Sequence, residues 1–442
     1  MANRLWDKGG AADAAMLRFT ARDDYVLDEN LLVYDVAASA AHARGLARIG
    51  ALEAGEADAI VAALATLRAE IEAGHFGLSS DHEDGHTAIE LWLTDRLGDL
   101  GKKVHLGRSR NDQVLVAMRL YERAELADLA ELAAAAAKSC LDLATREAST
   151  VMPGYTHLQR AVPQTVGHWA AGFAEGFIES GRILLGARDA CDASPLGAAA
   201  GYGVNLPLDR EGVAHELGFG RVALNPLWSQ TSRGMTEVVA LSAVWHAVAL
   251  ARRLAWDLSL FTTAEFGFVR LPVELTTGSS IMPNKRNPDI VELTRASCSV
   301  VEGALVELMS LSSLPSGYHR DLQLTKGPTM RAFAEARGIL SAAIQVVGGL
   351  ELVRDRMKDA VTEDTLATDR AVELARSGLP FREAYRKVAA EVGSSEQPAG
   401  ERAEASVRAR TSLGAAGNLG LDRLSASLER LREEISRSAT SA

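Results

Sequence analysis

Apolar positions along this chain gather into a few very long, helix-like runs. From about Asn111 to Thr150, the stretch AELADLAELAAAAAKSCLDLATRE joins high helix propensity to apolar residues at helical spacing. Pro153-Gly154 stops it. A second run, TVGHWAAGFAEGFIESGRILLGARDA, follows Pro163, and others span about Arg233 to Thr262, Pro288 to Leu311 and Thr329 to Val353. Several approach or exceed about 25 residues and are apolar around much of their circumference, so they must pack on one another or on partner chains. Strand-like alternation is sparse. The pattern predicts a mainly α fold with a long-helix bundle at its centre.

Shorter patterns flank the bundle. Glu56 to Ala73 reads as a short helix in a region punctuated by Gly50, Gly55, Gly74 and Gly77, and beyond about Arg354 charged amphipathic pieces alternate with EVGSSEQPAGE. The expected division is an N-terminal helical domain over 1–108, the bundle over 109–355 and a small helical domain over 356–442.

Composition narrows the function classes. A chain of 442 residues, 47% hydrophobic and 24% charged, has the balance of an ordinary globular protein. Its net charge of −11 argues against a nucleic-acid partner, which needs a basic surface. The same charge means that an anionic ligand must be held by a local cluster of cations. The start, MANRLWDKGG, lacks the apolar core of a signal peptide. The longest uncharged apolar run, Val238 to Ala251, is too short for a bilayer span and meets Arg252-Arg253. Cys140, Cys191 and Cys298 show neither metal nor redox spacing and suit a reducing compartment, so a cytoplasmic location is expected.

Four polar insertions interrupt the helical chain: Lys102 to Gln113 (KKVHLGRSRNDQ), Met152 to Pro163 (MPGYTHLQRAVP), Gly278 to Pro288 (GSSIMPNKRNP) and Ser316 to Lys326 (SGYHRDLQLTK). Each is rich in hydrogen-bonding and basic groups and abuts a long run, where binding and catalytic side chains usually sit. Two other motifs weigh less. His82-Glu83-Asp84-Gly85-His86 fits H-E-x-x-H, but a zinc site needs both histidines on one helix face. The Ser79-Ser80-Asp81 cluster instead places the motif at a helix entry, and no third ligand is apparent. GAAAGYGV at 197–204 lacks dinucleotide spacing and a surrounding βαβ unit.

GSSIMPNKRNP resembles the signature loop of the fumarase/aspartase superfamily, whose members eliminate fumarate from succinyl compounds. GRSRNDQ, PGYTHLQRAVP, LPSGYHRDLQ, PLGAAAGYGVNLPLDR and YDVAASAAHARGL are, in order and spacing, similar to the argininosuccinate lyase family. The resemblance covers nearly the whole chain. It implies a three-domain fold whose central bundle joins a tetrameric helical core, a homotetramer with active sites shared between subunits, no cofactor, and cleavage of argininosuccinate to arginine and fumarate, the last step of arginine biosynthesis.

The resemblance also carries roles to positions. Ser279 matches the family's catalytic serine, expected as base, with Gly278 and the following N–H groups as a nest for its charge. Lys285 and Asn287 match residues that hold the substrate carboxylate and the developing negative charge, with Ser280 beside them. Thr156 and His157 match a substrate-binding pair, His157 being either the acid or a group that orders water or substrate. Glu292 matches the carboxylate partner that would fix the imidazole tautomer and raise its pKa. Ser109, Arg110 and Asn111 match contacts to the succinyl end; Tyr318, Gln323 and Lys326 match those to the arginine end. Asp84 and His86 fall in a site-lining segment. Arg108, Arg110, Lys285 and Lys326 would be the local cations. Leu106, Asp24 and the LTKG around Lys326 depart from the commoner family pattern, which bears on the arginine-end pocket. Two other functions stay open: a sister activity such as adenylosuccinate lyase, and an inactive structural or binding tetramer, against which the retained Ser279, His157, Lys285 and Glu292 speak.

Overall fold

The N-terminal region is a small helical layer built on its own apolar cluster. A computed structural model of the chain describes residues 16, 19, 20, 24–79, 82, 84–393 and 395–440. In it, α1 (Asp24–Asp28), α2 (Leu32–Arg48), α3 (Ala54–Glu72) and α4 (Gly85–Leu97) precede the bundle. Leu32, Leu46, Ile60, Leu64, Leu67 and Leu93 close together at their centre. Where α3 begins, Glu53 N–H donates to Glu56 at 3.2 Å, satisfying one backbone donor that the helix leaves open.

Five long helices form the bundle: α5 (Arg110–Arg146), α6 (Val166–Cys191), α7 (Met235–Phe261), α8 (Asp289–Leu311) and α9 (Lys326–Gly349). The alanine-rich run expected from about Asn111 is α5, ending at Arg146 rather than near Thr150. Buried Phe177, Phe333, Met118 and Leu129 fill the space between the helices. The final helix, α10 (Leu421–Thr440), returns to this core through Leu428, Leu431 and Ile435. A smaller cluster of Val361, Leu366, Ala403 and Val407 packs under Val151.

The helices alternate in direction, so the connecting segments collect at two ends. At one end, Gly234 before α7 lies against Ser312 past α8 and Leu322 before α9. At the other, Val269-Arg270 after α7 pairs with Glu351-Leu352 after α9, and the Tyr155 and Phe266 rings stand 5.4 Å apart. The insertion at 152–163, expected as a loop, is here a hairpin of β1 (Val151–Thr156) and β2 (Gln159–Thr165), broken in register near Gly154. The signature loop is a second, shorter hairpin, β3 (Thr277–Gly278) with β4 (Arg286–Asn287).

By length and composition α7 is apolar enough to cross a membrane, and it extends beyond the uncharged stretch from Val238 to Ala251. Half of its most apolar window is buried in the bundle through residues such as Leu241, Val244 and Val248. Its opposite face, with Trp245 and Trp256, is exposed, as are Leu293, Val306 and Met309 on α8. One chain leaves this apolar surface uncovered, and surfaces of that kind mark interaction sites.

Candidate active site

At the end of the bundle where α5 begins, a cleft of about 480 Å³ opens between the N-terminal layer and the segments before α7 and α9. Its shape depends on Asp112, fully buried in the first turn of α5. One carboxylate oxygen accepts from Ser109 N–H at 2.8 Å, completing a capping box, and the other accepts from Gly197 and Ala199 N–H at 3.0 and 2.8 Å. The Gly-rich GAAAGYGV stretch is thus a clamp on the helix start. Ser109 Oγ accepts in turn from Asn111 N–H at 3.3 Å.

The opposite wall comes from α1 and α4. Asp84 caps α4 through Thr87 N–H at 2.9 Å and forms an ion pair with Arg110. Gly85 N–H donates to Asp28 at 3.0 Å. The H-E-x-x-H segment straddles this helix start: His82 precedes α4, accepting from Ser79 N–H at 3.1 Å, while His86 lies in the first turn. Glu83 lies outside the described residues. His86 Nδ1 is hydrogen-bonded to buried Asp35, and among the described residues Nε2, in the cleft wall, has no hydrogen-bond partner. Burial, with Arg108 and His86 close by, holds the neighbouring His105 below the usual imidazole range. His42 is structural: its Nε2 is 2.8 Å from Leu106 O, and burial beside Arg108 pushes its pKa down to about 3. The Leu106 side chain itself is exposed and does not line the cleft.

Tyr318, Gln323 and Lys326 close the third side. Lys326 was expected as a cation available to substrate from a loop. It is instead the first residue of α9, buried, with Nζ 2.6 Å from Asp28 and 2.8 Å from Asp24. Gln323 donates to Asp24 as well. Burial raises Asp24 more than Lys326 lowers it; for Asp28 burial opposes ionisation, but Lys326, His86 and the Gly85 N–H together hold the carboxyl below its ordinary range. The departure at Asp24 therefore comes with its own counter-ion. The expected cation cluster is divided too: Arg110 pairs with Asp84, buried Arg108 donates to Ser39 at 2.9 Å, and Lys285 lies elsewhere.

The remaining assigned residues occupy the other end of the bundle. The 37 residues of α5, at about 1.5 Å each, place roughly 55 Å between Arg110 and the β1–β2 hairpin. His157 and Leu158 form its two-residue tip, with φ of 54° and 58°. This is the left-handed turn that hairpins favour and that residues with a side chain adopt at a cost. Thr156, His157 and Leu158 are all exposed there. In the second hairpin Ser279 Oγ accepts from Met282 and Ile281 N–H at 3.1 and 3.4 Å, so two backbone dipoles point at the oxygen expected to carry charge. Asn287 lies across from Thr277 in the β3–β4 pair, and Ser280 and Lys285 are exposed. Glu292, in the first turn of α8, is exposed, and among the described residues no hydrogen bond or ion pair joins it to His157.

One chain thus gathers His86, Ser109, Arg110, Asn111, Tyr318, Gln323 and Lys326, and separates them from Thr156, His157, Ser279, Ser280, Lys285, Asn287 and Glu292. Asp28, Asp35, Asp112 and Arg233 of the cleft region escaped the sequence reading. Only the i, i+4 spacing of Asp24 and Asp28, which puts both carboxylates on one helix face, offered a signal.

A model of the lyase family matches residues 7–303. The argininosuccinate lyase of Sorangium cellulosum (strain So ce56) is 62% identical over 430 residues, 97% of this chain and 99% of that protein. The chain belongs to the argininosuccinate lyase family. A second member, from Stenotrophomonas maltophilia (strain R551-3), is 50% identical across 96% of this chain and 99% of its own. EDDS lyase in complex with formate shares the fold at a TM-score of 0.82 and 23% identity, covering 98% of this chain and 93% of that one. Fumarate lyase from Mesorhizobium sp. BNC1 does so at 0.67 and 20%, over 97% of each chain. The mainly α superfamily fold expected from the sequence is therefore the one observed.

Proposed function

We propose that this chain is an argininosuccinate lyase that works as a cytoplasmic homotetramer without metal or organic cofactor, each site combining the cleft of one subunit with hairpins of others. Ser279 removes the proton from the carbon beside a succinyl carboxylate. The electron pair left behind forms the new double bond as the carbon–nitrogen bond breaks, releasing fumarate and a guanidino nitrogen that takes up a proton. Negative charge on Ser279 Oγ is met by the Ile281 and Met282 N–H groups, and charge on the carboxylate by Lys285 and Asn287. His157, with Glu292 of α8 as its carboxylate partner in the assembled site, serves the acid side. Ser109, Arg110 and Asn111 hold the succinyl end; Tyr318, Gln323 and Lys326 hold the arginine end, Lys326 through its pair of carboxylates.

The observation that carries this reading is the division of the assigned residues between opposite ends of one bundle, in a chain whose α7 and α8 leave large apolar side chains uncovered. Packing such faces on other copies is the means by which helices of this length cover themselves. The test is to offer the pure protein argininosuccinate, adenylosuccinate and aspartate separately and follow fumarate. Release from argininosuccinate alone, undiminished by a chelator, is expected. Release from adenylosuccinate alone, or activity lost to chelator and restored by zinc, overturns the reading.

A further inference from the structure

Arg233 stands out among the charges of the cleft. It is 3% exposed and lines the cavity, yet no hydrogen bond or ion pair to its guanidinium is present among the described residues; its Cζ lies 5.8 Å from the centroid of the Tyr318 ring. Every other cation of the cleft is engaged: Arg110 with Asp84, Lys326 with Asp24 and Asp28, Arg108 with Ser39, and Arg320 with the Thr20 carbonyl at 3.1 Å. Burial draws its pKa below the ordinary range although Tyr318, Glu237, Asp24 and Asp28 oppose that shift from a distance, so the charge is held without a direct partner at a cost. Its N–H donors are therefore available to a carboxylate that enters the cavity.

The backbone holds that guanidinium in place. Gly234, at φ 86°, makes the turn between Arg233 and α7, and a Cβ there would stand 2.7 Å from Ser312 Oγ. Gly234 N–H donates at 2.7 Å to Glu237, fully buried in the first turn of α7. Arg119 of α5 faces Glu237 at 3.9 Å while bonding Glu122 at 3.1 Å. Arg233 is therefore presented from a turn anchored in the bundle core, and it faces the Tyr318, Gln323 and Lys326 side of the cleft.

We propose that Arg233 is a further substrate-binding residue, gripping the α-carboxylate at the amino-acid end of the substrate, and that Glu237 is the positioning residue for its turn. The assignment rests on the reading of the cleft as the arginine-end site. A planar guanidinium matches a carboxylate in two parallel hydrogen bonds, so the group recognised is the carboxylate of an α-amino acid rather than its ammonium or side chain.

The test compares L-arginine with agmatine, which lacks only the carboxylate, by calorimetry on the assembled protein. Native protein is expected to prefer L-arginine by at least about tenfold, the weight of a charge-assisted hydrogen-bonded pair in a buried site. Arg233→Met is expected to erase that preference while leaving agmatine binding within about twofold. Arg233→Lys, which restores charge without the planar fork, is expected to recover part of it; should the Met variant fail to fold, the Lys variant alone must show a reduced preference. Equal weakening of both ligands, or an undiminished preference, overturns the assignment, as does a native protein that binds agmatine as well as L-arginine. Turnover of argininosuccinate by the native protein, run in parallel, separates the outcomes: its absence counts against the reading of the site, its presence beside an unchanged preference counts against Arg233 alone.

Discussion

Removing the Asp112 carboxylate should be among the most damaging single changes in the chain, although the side chain touches no substrate in the reading above. Its two oxygens accept from three backbone N–H groups, those of Ser109, Gly197 and Ala199, and the side chain is fully buried. Asp112→Ala leaves those donors without an acceptor at about 1–3 kcal/mol each, about 3–9 kcal/mol in sum. Relaxation and water entry favour the lower half of that range, which is still a large part of a typical stability of about 5–15 kcal/mol. Asp112→Asn keeps one accepting oxygen and turns N–H groups toward the other donors, so its cost falls between alanine and the native residue. Urea unfolding at fixed protein concentration reads the loss, since midpoints of an oligomer move with concentration. At temperatures where the Asn variant stays folded, argininosuccinate turnover should also fall, because the same contacts set the Ser109–Asn111 start of α5. A stability within about 1 kcal/mol of native for Asp112→Ala would refute the clamp.

Two further outcomes follow from particular groups. Ser279→Ala should reduce turnover at least about a hundredfold while leaving calorimetric substrate binding largely intact, because proton abstraction belongs to the transition state; retention of more than about a tenth of native turnover would remove Ser279 as the base. Glu122 is pushed up to about 8 from its ordinary 4.5, first by burial and then by Glu237. A group raised in the folded state stabilises fully below its unfolded value and loses that contribution as pH rises through the folded one. The stability advantage of Glu122→Gln over native should therefore grow from about pH 4.5 to about pH 8, by at most about 1.4 kcal/mol per pH unit; parallel unfolding midpoints at pH 6 and pH 9 would contradict it.

The long helices were legible because burial leaves a mark at every turn: the alanine and leucine spacing of 111–150 is what α5 uses to pack on α6. The β1–β2 hairpin was not. Its partners include Pro153 opposite Pro163, and its strands carry polar residues outward without the alternation that signals a half-buried strand. The chemistry-bearing stretches stood out because they break the helical pattern, but their arrangement in space did not follow from that break. Lys326 shows why: a lysine after a polar run reads as an available cation, and only the fold brings Asp24 and Asp28 to it from about 300 residues away in sequence. Arg233 shows the converse. Nothing in SRG distinguishes a solvated arginine from one buried in a cleft wall, because the distinction lies in how other segments close around it.

In the proposed assembly one catalytic site draws on several chains. Asn111→Ala damages the cleft and Ser279→Ala the distant hairpin, so each variant should be inactive alone. Chains of the two variants, unfolded together in equal amounts and refolded, assemble at random. If the two positions of a site come from different subunits, about a quarter of the sites receive native residues at both. Turnover near a quarter of the native rate in mixed oligomers, isolated through a tag on one variant, is the predicted result. Mixed oligomers no more active than either parent would contradict the shared site.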